Sequence, residues 1–185
     1  MHGGPGRAMV PSRGPVGQRM DYVAGSRMIE SGTNSGLQDL QNRILESIVR
    51  GEPLGKVARH ICLGVERLVP GVICTILAVD AKGGLHTLAA PGLPDQYSHG
   101  LEGQRIGPSV GSCGTAAWRG EPVEVTDIAT DPLWENFRGL GLPRDLKACW
   151  SSPIKAGDGR VVGTFAFYYR AQRGPSELER RIVEQ

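Results

Sequence analysis

The chain has 185 residues, enough to bury the core of one domain and leave a tail. Its net charge of +2 is too small to point to a nucleic-acid or acidic-membrane partner. No apolar run approaches the roughly 20 residues that span a bilayer, and Met1 to Met20 carries arginines without the apolar stretch of a secretory signal. The four cysteines, Cys62, Cys74, Cys113 and Cys149, are scattered, with no C-x-x-C pair and no zinc-like spacing. Reduced thiols, a cytoplasmic location and no metal site are therefore expected.

Residues 1–36 are rich in Gly, Pro, Ser and Arg with almost no periodic apolar residues, which predicts a disordered tail or linker. Order is expected from Ser35, whose spacing to Gln38 fits a capping box. Leu37, Leu40, Ile44, Leu45 and Ile48 then recur at helical spacing until Gly51. Pro53 suits the first turn of a second helix. Its stripe is Leu54, Val57, Ile61, Cys62, Val65, Leu68 and Val69, which makes Cys62 a core residue.

The pattern next changes to strands. Val72 to Val79 is rich in β-branched residues, Asp80 to Gly84 is a turn, and Leu85 to Ala90 returns, giving a hairpin with Cys74 in its first strand. A loop-rich middle follows, with short helices predicted over 94–101, 115–119 and 131–137 and a short strand over 122–125. Ala148 to Ile154 and Val161 to Tyr169 read as two strands around the turn Ala156 to Gly159. Ser176 and Glu179 form a second capping box. The helix they start, with Leu178, Ile182 and Val183 on one face, stops in mid-pattern at Gln185, as in a piece of a longer protein. This order predicts an α+β domain with an antiparallel sheet and packed terminal helices over residues 37–185.

The runs Ile106 to Ala117, with its Gly111-Ser112-Cys113-Gly114-Thr115, Gly120 to Ile128, and Asp131-Pro132-Leu133-Trp134 resemble the middle of GAF domains. Lys147 to Ile154 with Gly159 to Tyr169 is similar to their final hairpin, and Pro175 to Glu179 to their exit helix. The resemblance, closest to GAF domains of bacterial sensor histidine kinases and cyclic-di-GMP signalling proteins, runs from about Leu37 to Gln185. It implies a GAF-like (profilin/PAS-like) central antiparallel sheet. The terminal helices would lie on one face, and a small-molecule pocket roofed by loops and short helices on the other. It also implies a non-catalytic sensory domain, a homodimer formed through the terminal helices, and an output domain in a longer chain.

The ligand candidates are Gly111, Ser112, Cys113, Gly114, Thr115, Trp134, Cys149 and Ser151. Small residues ahead of a helix leave backbone N–H groups open to an anion or a polarised carbonyl, and the same glycines equally suit a tight turn. The aromatics Trp118, Trp134, Phe137 and Trp150 are expected in the same half, with Trp134 the best roof residue. Alternation puts Cys149 and Ser151 on one strand face and Trp150 and Ser152 on the other, without saying which meets the pocket. Cys113 and Cys149 are either a redox-sensitive pair or two small core residues.

Free methionine-(R)-sulfoxide reductases are GAF proteins with a cysteine in a context that Ser112 to Ala116 resembles. Their further cysteines and acidic cluster have no counterpart here. No cysteine lies between Gly83 and Ser112, and Leu146 to Ile154 carries no acid. A reductase using Cys113 and a structural dimerisation module with a degenerate pocket are the rival readings. The Cys-His pair of bilin-binding relatives and the Asn-Lys-Phe-Asp-Glu pattern of cyclic-nucleotide GAF domains are missing. His60, His86 and His99 are isolated, which leaves haem without support and the cofactor unassigned.

Overall fold

The computed structural model describes residues 34–140 and 142–184. Most of the tail expected over residues 1–36 lies outside the described residues. Leu37–Gln185 form one compact unit.

Five strands make a single sheet: β1 (Val72–Val79), β2 (Leu85–Ala89), β3 (Val123–Val125), β4 (Ala148–Lys155) and β5 (Val161–Tyr169). Their order is β2-β1-β5-β4-β3, and every neighbouring pair is antiparallel. The last strand therefore lies in the centre, between β1 and β4, and is buried along most of its length. A run of valine, aromatic and small residues suits that two-sided burial. Gly163 lets β5 close on β1, because a Cβ there would stand 2.5 Å from the Leu77 carbonyl oxygen.

Period-two alternation divides the core into two layers. On one face, Cys74, Ile76, Ala148, Trp150, Phe165, Phe167 and Tyr169 pack against the terminal helices. These are α1 (residues 34–49), α2 (Leu54–Leu68) and α5 (Glu177–Glu184). On the other face, Ile73, Leu77, Cys149, Ala166 and Tyr168 pack beneath the middle section. That section contains α3 (Asp95–Leu101), α4 (Gly111–Arg119) and a 3₁₀ turn, Pro132–Trp134. The α+β architecture, the antiparallel sheet and the helices on one face are as the sequence predicts.

Several local expectations are corrected. Ser35 lies inside α1, already helical at residue 34, and so is not its cap. The stripe on α1 divides: Leu37 and Leu40 are buried, whereas Leu45 and Ile48 are more than half exposed. Leu54, expected on the α2 stripe, is also exposed, while Val57, Ala58, Cys62 and Val65 carry the burial. The expected helix over 131–137 is a 3₁₀ turn held by the Asp131 side chain, which accepts from the Leu133 N–H at 2.8 Å.

The capping box of α5 forms as read. Ser176 N–H donates to Glu179 at 2.6 Å, and Glu179 N–H donates to Ser176 Oγ at 3.3 Å. Glu179 is fully buried and is held further by Arg173 through two bonds of 2.7 and 2.9 Å and by the Tyr169 hydroxyl at 3.2 Å. Among the described residues no helix is long and apolar enough to cross a membrane.

Candidate functional site

Helix α4 begins earlier than the sequence suggests. It starts at Gly111, so Gly111 to Gly114 form its first turn rather than a loop ahead of it. Gly111 has φ +53°, a conformation glycine adopts without steric cost, and this turns the chain into the helix. Val110 N–H donates to Thr115 Oγ1 at 3.0 Å, which ties the Thr115 side chain to the start of the helix. Ser112 and Thr115 are fully buried.

The first turn of α4 rests on β4 and β5. This settles the open question about β4: Cys149 and Ser151 face α4, and Trp150 faces the terminal helices, tilted against Phe167 at 5.3 Å. The aromatic cluster is smaller than expected. Trp150 lies on the wrong face and Trp118 is 54% exposed, leaving Trp134 and Phe137 beside α4. Trp134 does sit over the first turn, where its Nε1–H donates to Ser112 Oγ at 3.0 Å.

Two residues the sequence reading missed complete the site. Tyr168 of β5 and Tyr97 of α3 share a hydrogen bond of 3.0 Å between their hydroxyls, with rings edge-on at 6.2 Å. Trp134 meets Tyr168 edge-on at 6.3 Å, and the Tyr168 hydroxyl stands 3.9 Å from Cys113 Sγ. A tyrosine in a strand buried on both faces needs a partner for its hydroxyl; that signal was present in the sequence at Tyr168.

Cys113 and Cys149 are brought together as free, buried thiols. The neighbouring Cys149 thiol is the leading influence that favours the Cys113 thiolate. Burial opposes this, and the hydroxyls of Ser151, Tyr168 and Thr164 add to it, so Cys113 ionises below the ordinary thiol range. Cys149 moves the other way, pushed up by burial and by the developing charge on Cys113. Ser151 Oγ and Thr164 Oγ1 are buried beside this pair of thiols and make no hydrogen bond among the described residues.

The space enclosed here is small. A cavity of about 10 Å³ lies between α4, Trp134, Phe137 and Tyr97, room for about one water. All eight predicted site residues except Thr115, whose side chain is tied to the Val110 N–H, thus lie at or beside one thiol-centred cluster. His86 and His60 lie elsewhere on satisfied partners: His86 between Asp80 and Glu102, and His60 3.2 Å from Ser47 Oγ.

The GAF domain family model matches residues 51–185. The chain belongs to the GAF domain family. This GAF domain is 36% identical over 144 residues to the methyl sulfide methyltransferase-associated sensor of Methanosarcina acetivorans. The match covers 77% of this chain and 14% of that protein, so the chain spans a small part of the curated relative it matches. Among solved structures, the GAF domain of a phosphoenolpyruvate-protein phosphotransferase from Coxiella burnetii aligns with TM-score 0.65 at 17% identity, over 80% of this chain and 86% of that one. The free methionine-R-sulfoxide reductase of Neisseria meningitidis, solved with its substrate, aligns with TM-score 0.62 at 13% identity, over 82% and 81%. At these identities the structural likeness establishes the fold alone.

Proposed function

We propose that this GAF domain is a non-catalytic regulatory module that responds at the Cys113 cluster, to a small molecule or to redox state, and passes the response through its exit helix. The observation that carries this reading is the placement of two consecutive residues. Tyr168 points to Cys113 and Tyr97, while Tyr169, its neighbour in β5, points to the other face and donates to Glu179 in the capping box of α5. A shift of β5 at the first site is therefore felt at the root of the exit helix. A ligand or oxidation event biases such an element only by its different affinity for the two arrangements.

The sensor relative supports a sensory role, and its much greater length supports an output domain in a longer chain. Exposed Leu45 lines a groove of about 520 Å³ between α1, α2 and α5, and Ile48 and Val49 are exposed on the same helix, which suits a homodimer formed through these helices.

The rival reading is a reductase that acts on free methionine sulfoxide through Cys113, a fold neighbour of this chain being such an enzyme. The test is an assay of free methionine-(R)-sulfoxide reduction with a thioredoxin system. The regulatory reading expects no turnover above buffer. Turnover lost in Cys113→Ser would replace it with the enzyme.

A further inference from the structure

The protein holds two pairs of neighbouring buried cysteines, and their surroundings differ. Cys62 on α2 and Cys74 on β1 lie in the core beneath the terminal helices, fully buried. Burial pushes Cys62 up to about 12 and Cys74 also well above the thiol range, so both stay protonated and unreactive near neutral pH. Cys113 lies in the first turn of α4, a position that favours a thiolate. The Tyr168 hydroxyl stands 3.9 Å from its sulfur, on the strand position paired with Cys149. Cys113 also lines the cavity of about 10 Å³, which Cys149 does not. The volume of this cavity, about that of one water, suits the smallest oxidants best.

We propose that Cys113 and Cys149 form a disulfide when a small hydroperoxide enters this cavity, with Cys113 the attacking thiol and Cys149 the resolving one. The inference rests on the regulatory reading of the same site and supplies its chemistry. In the first step the Cys113 thiolate attacks hydrogen peroxide. An S–O bond forms, the O–O bond breaks, and the departing hydroxide takes up a proton as water, leaving a sulfenic acid. In the second step Cys149 attacks the Cys113 sulfur. The S–S bond forms, the S–O bond breaks, and hydroxide leaves with the Cys149 proton as a second water. Two thiols and one peroxide thus give one disulfide and two waters. Tyr168 then loses the thiol it faces, at the strand end that holds Tyr169 against α5.

The experiment treats the reduced full chain with hydrogen peroxide, blocks remaining thiols by alkylation and maps peptides by mass spectrometry. Cys113 and Cys149 are expected to lose their free thiols together and appear in one linked peptide, while Cys62 and Cys74 stay alkylable after unfolding. In Cys149→Ala the resolving thiol is gone, and dimedone should label Cys113. Should that variant not fold, the wild-type peptide map decides alone. Persistence of free Cys113 and Cys149 in excess peroxide would overturn the proposal, as would equal linking of Cys62 with Cys74.

Hydrogen exchange of α5 in the same samples separates the two ideas. A disulfide that leaves α5 exchange unchanged supports this chemistry and removes the signalling role. Absence of the disulfide, with α5 still responding to Tyr168→Phe, overturns the chemistry and leaves the regulatory reading standing.

Discussion

Cys113 is governed by two opposed influences, and the balance decides its chemistry. Burial disfavours a thiolate, and on that basis alone Cys113 would be as inert as Cys62. Neighbouring polar groups offset burial, Cys149 first and then Ser151, Tyr168 and Thr164. Because the thiolate is the nucleophile, the rate of Cys113 oxidation should rise with pH and level off below the ordinary thiol range. Cys149→Ala removes the leading influence, so the rise should move to higher pH and the rate near neutrality should fall about three- to tenfold. Stopped-flow oxidation by peroxide at a series of pH values checks this. An unchanged profile would mean that the neighbouring thiol does not set the ionisation of Cys113.

At the scale of elements, α5 depends on one carboxylate. Burial alone would push the Glu179 carboxyl up. Arg173 and the Ser176 N–H more than offset that, and the group ends below its usual value. A carboxylate with a depressed folded value contributes stability above its unfolded value of 4.5, and that stability is lost as pH falls through the folded value. Glu179→Gln should therefore cost about 1–3 kcal/mol near neutral pH, discounted because Arg173 is partly exposed. The difference from wild type should shrink toward acid. Urea unfolding at neutral and acid pH measures it, and a cost independent of pH would contradict the assignment.

The α5 capping box was legible in sequence because it is local: Ser176 and Glu179 stand three residues apart and need nothing else. The strands were legible for the same reason, through β-branched runs bounded by turns. The start of α4 was not. Small residues from Gly107 to Gly114 read as a loop, and only the packing of Cys113 and Ala116 onto the sheet pays for winding four of them into a helix. The face of Trp150 stayed open in sequence because alternation separates faces without naming them, and its packing in the layer of the terminal helices supplies the name. Tyr97 and Tyr168 meet across 71 residues, which no local pattern encodes.

At the scale of the whole molecule, the central position of β5 is the organising fact. It joins the hairpin β1–β2 to the hairpin-edge pair β3–β4 and separates the thiol cluster from the terminal helices. The regulatory reading requires that a change confined to one face of this strand be detected on the other. Tyr168→Phe makes such a change, deleting the hydroxyl that faces Tyr97 and Cys113 while leaving the ring and the α5 contacts in place. Hydrogen exchange followed by mass spectrometry, with α2 as an internal reference, is the most direct measurement. The account predicts faster exchange across α5, with α2 slowed or quickened far less. Equal change in α2 and α5, or no change in α5, would contradict it.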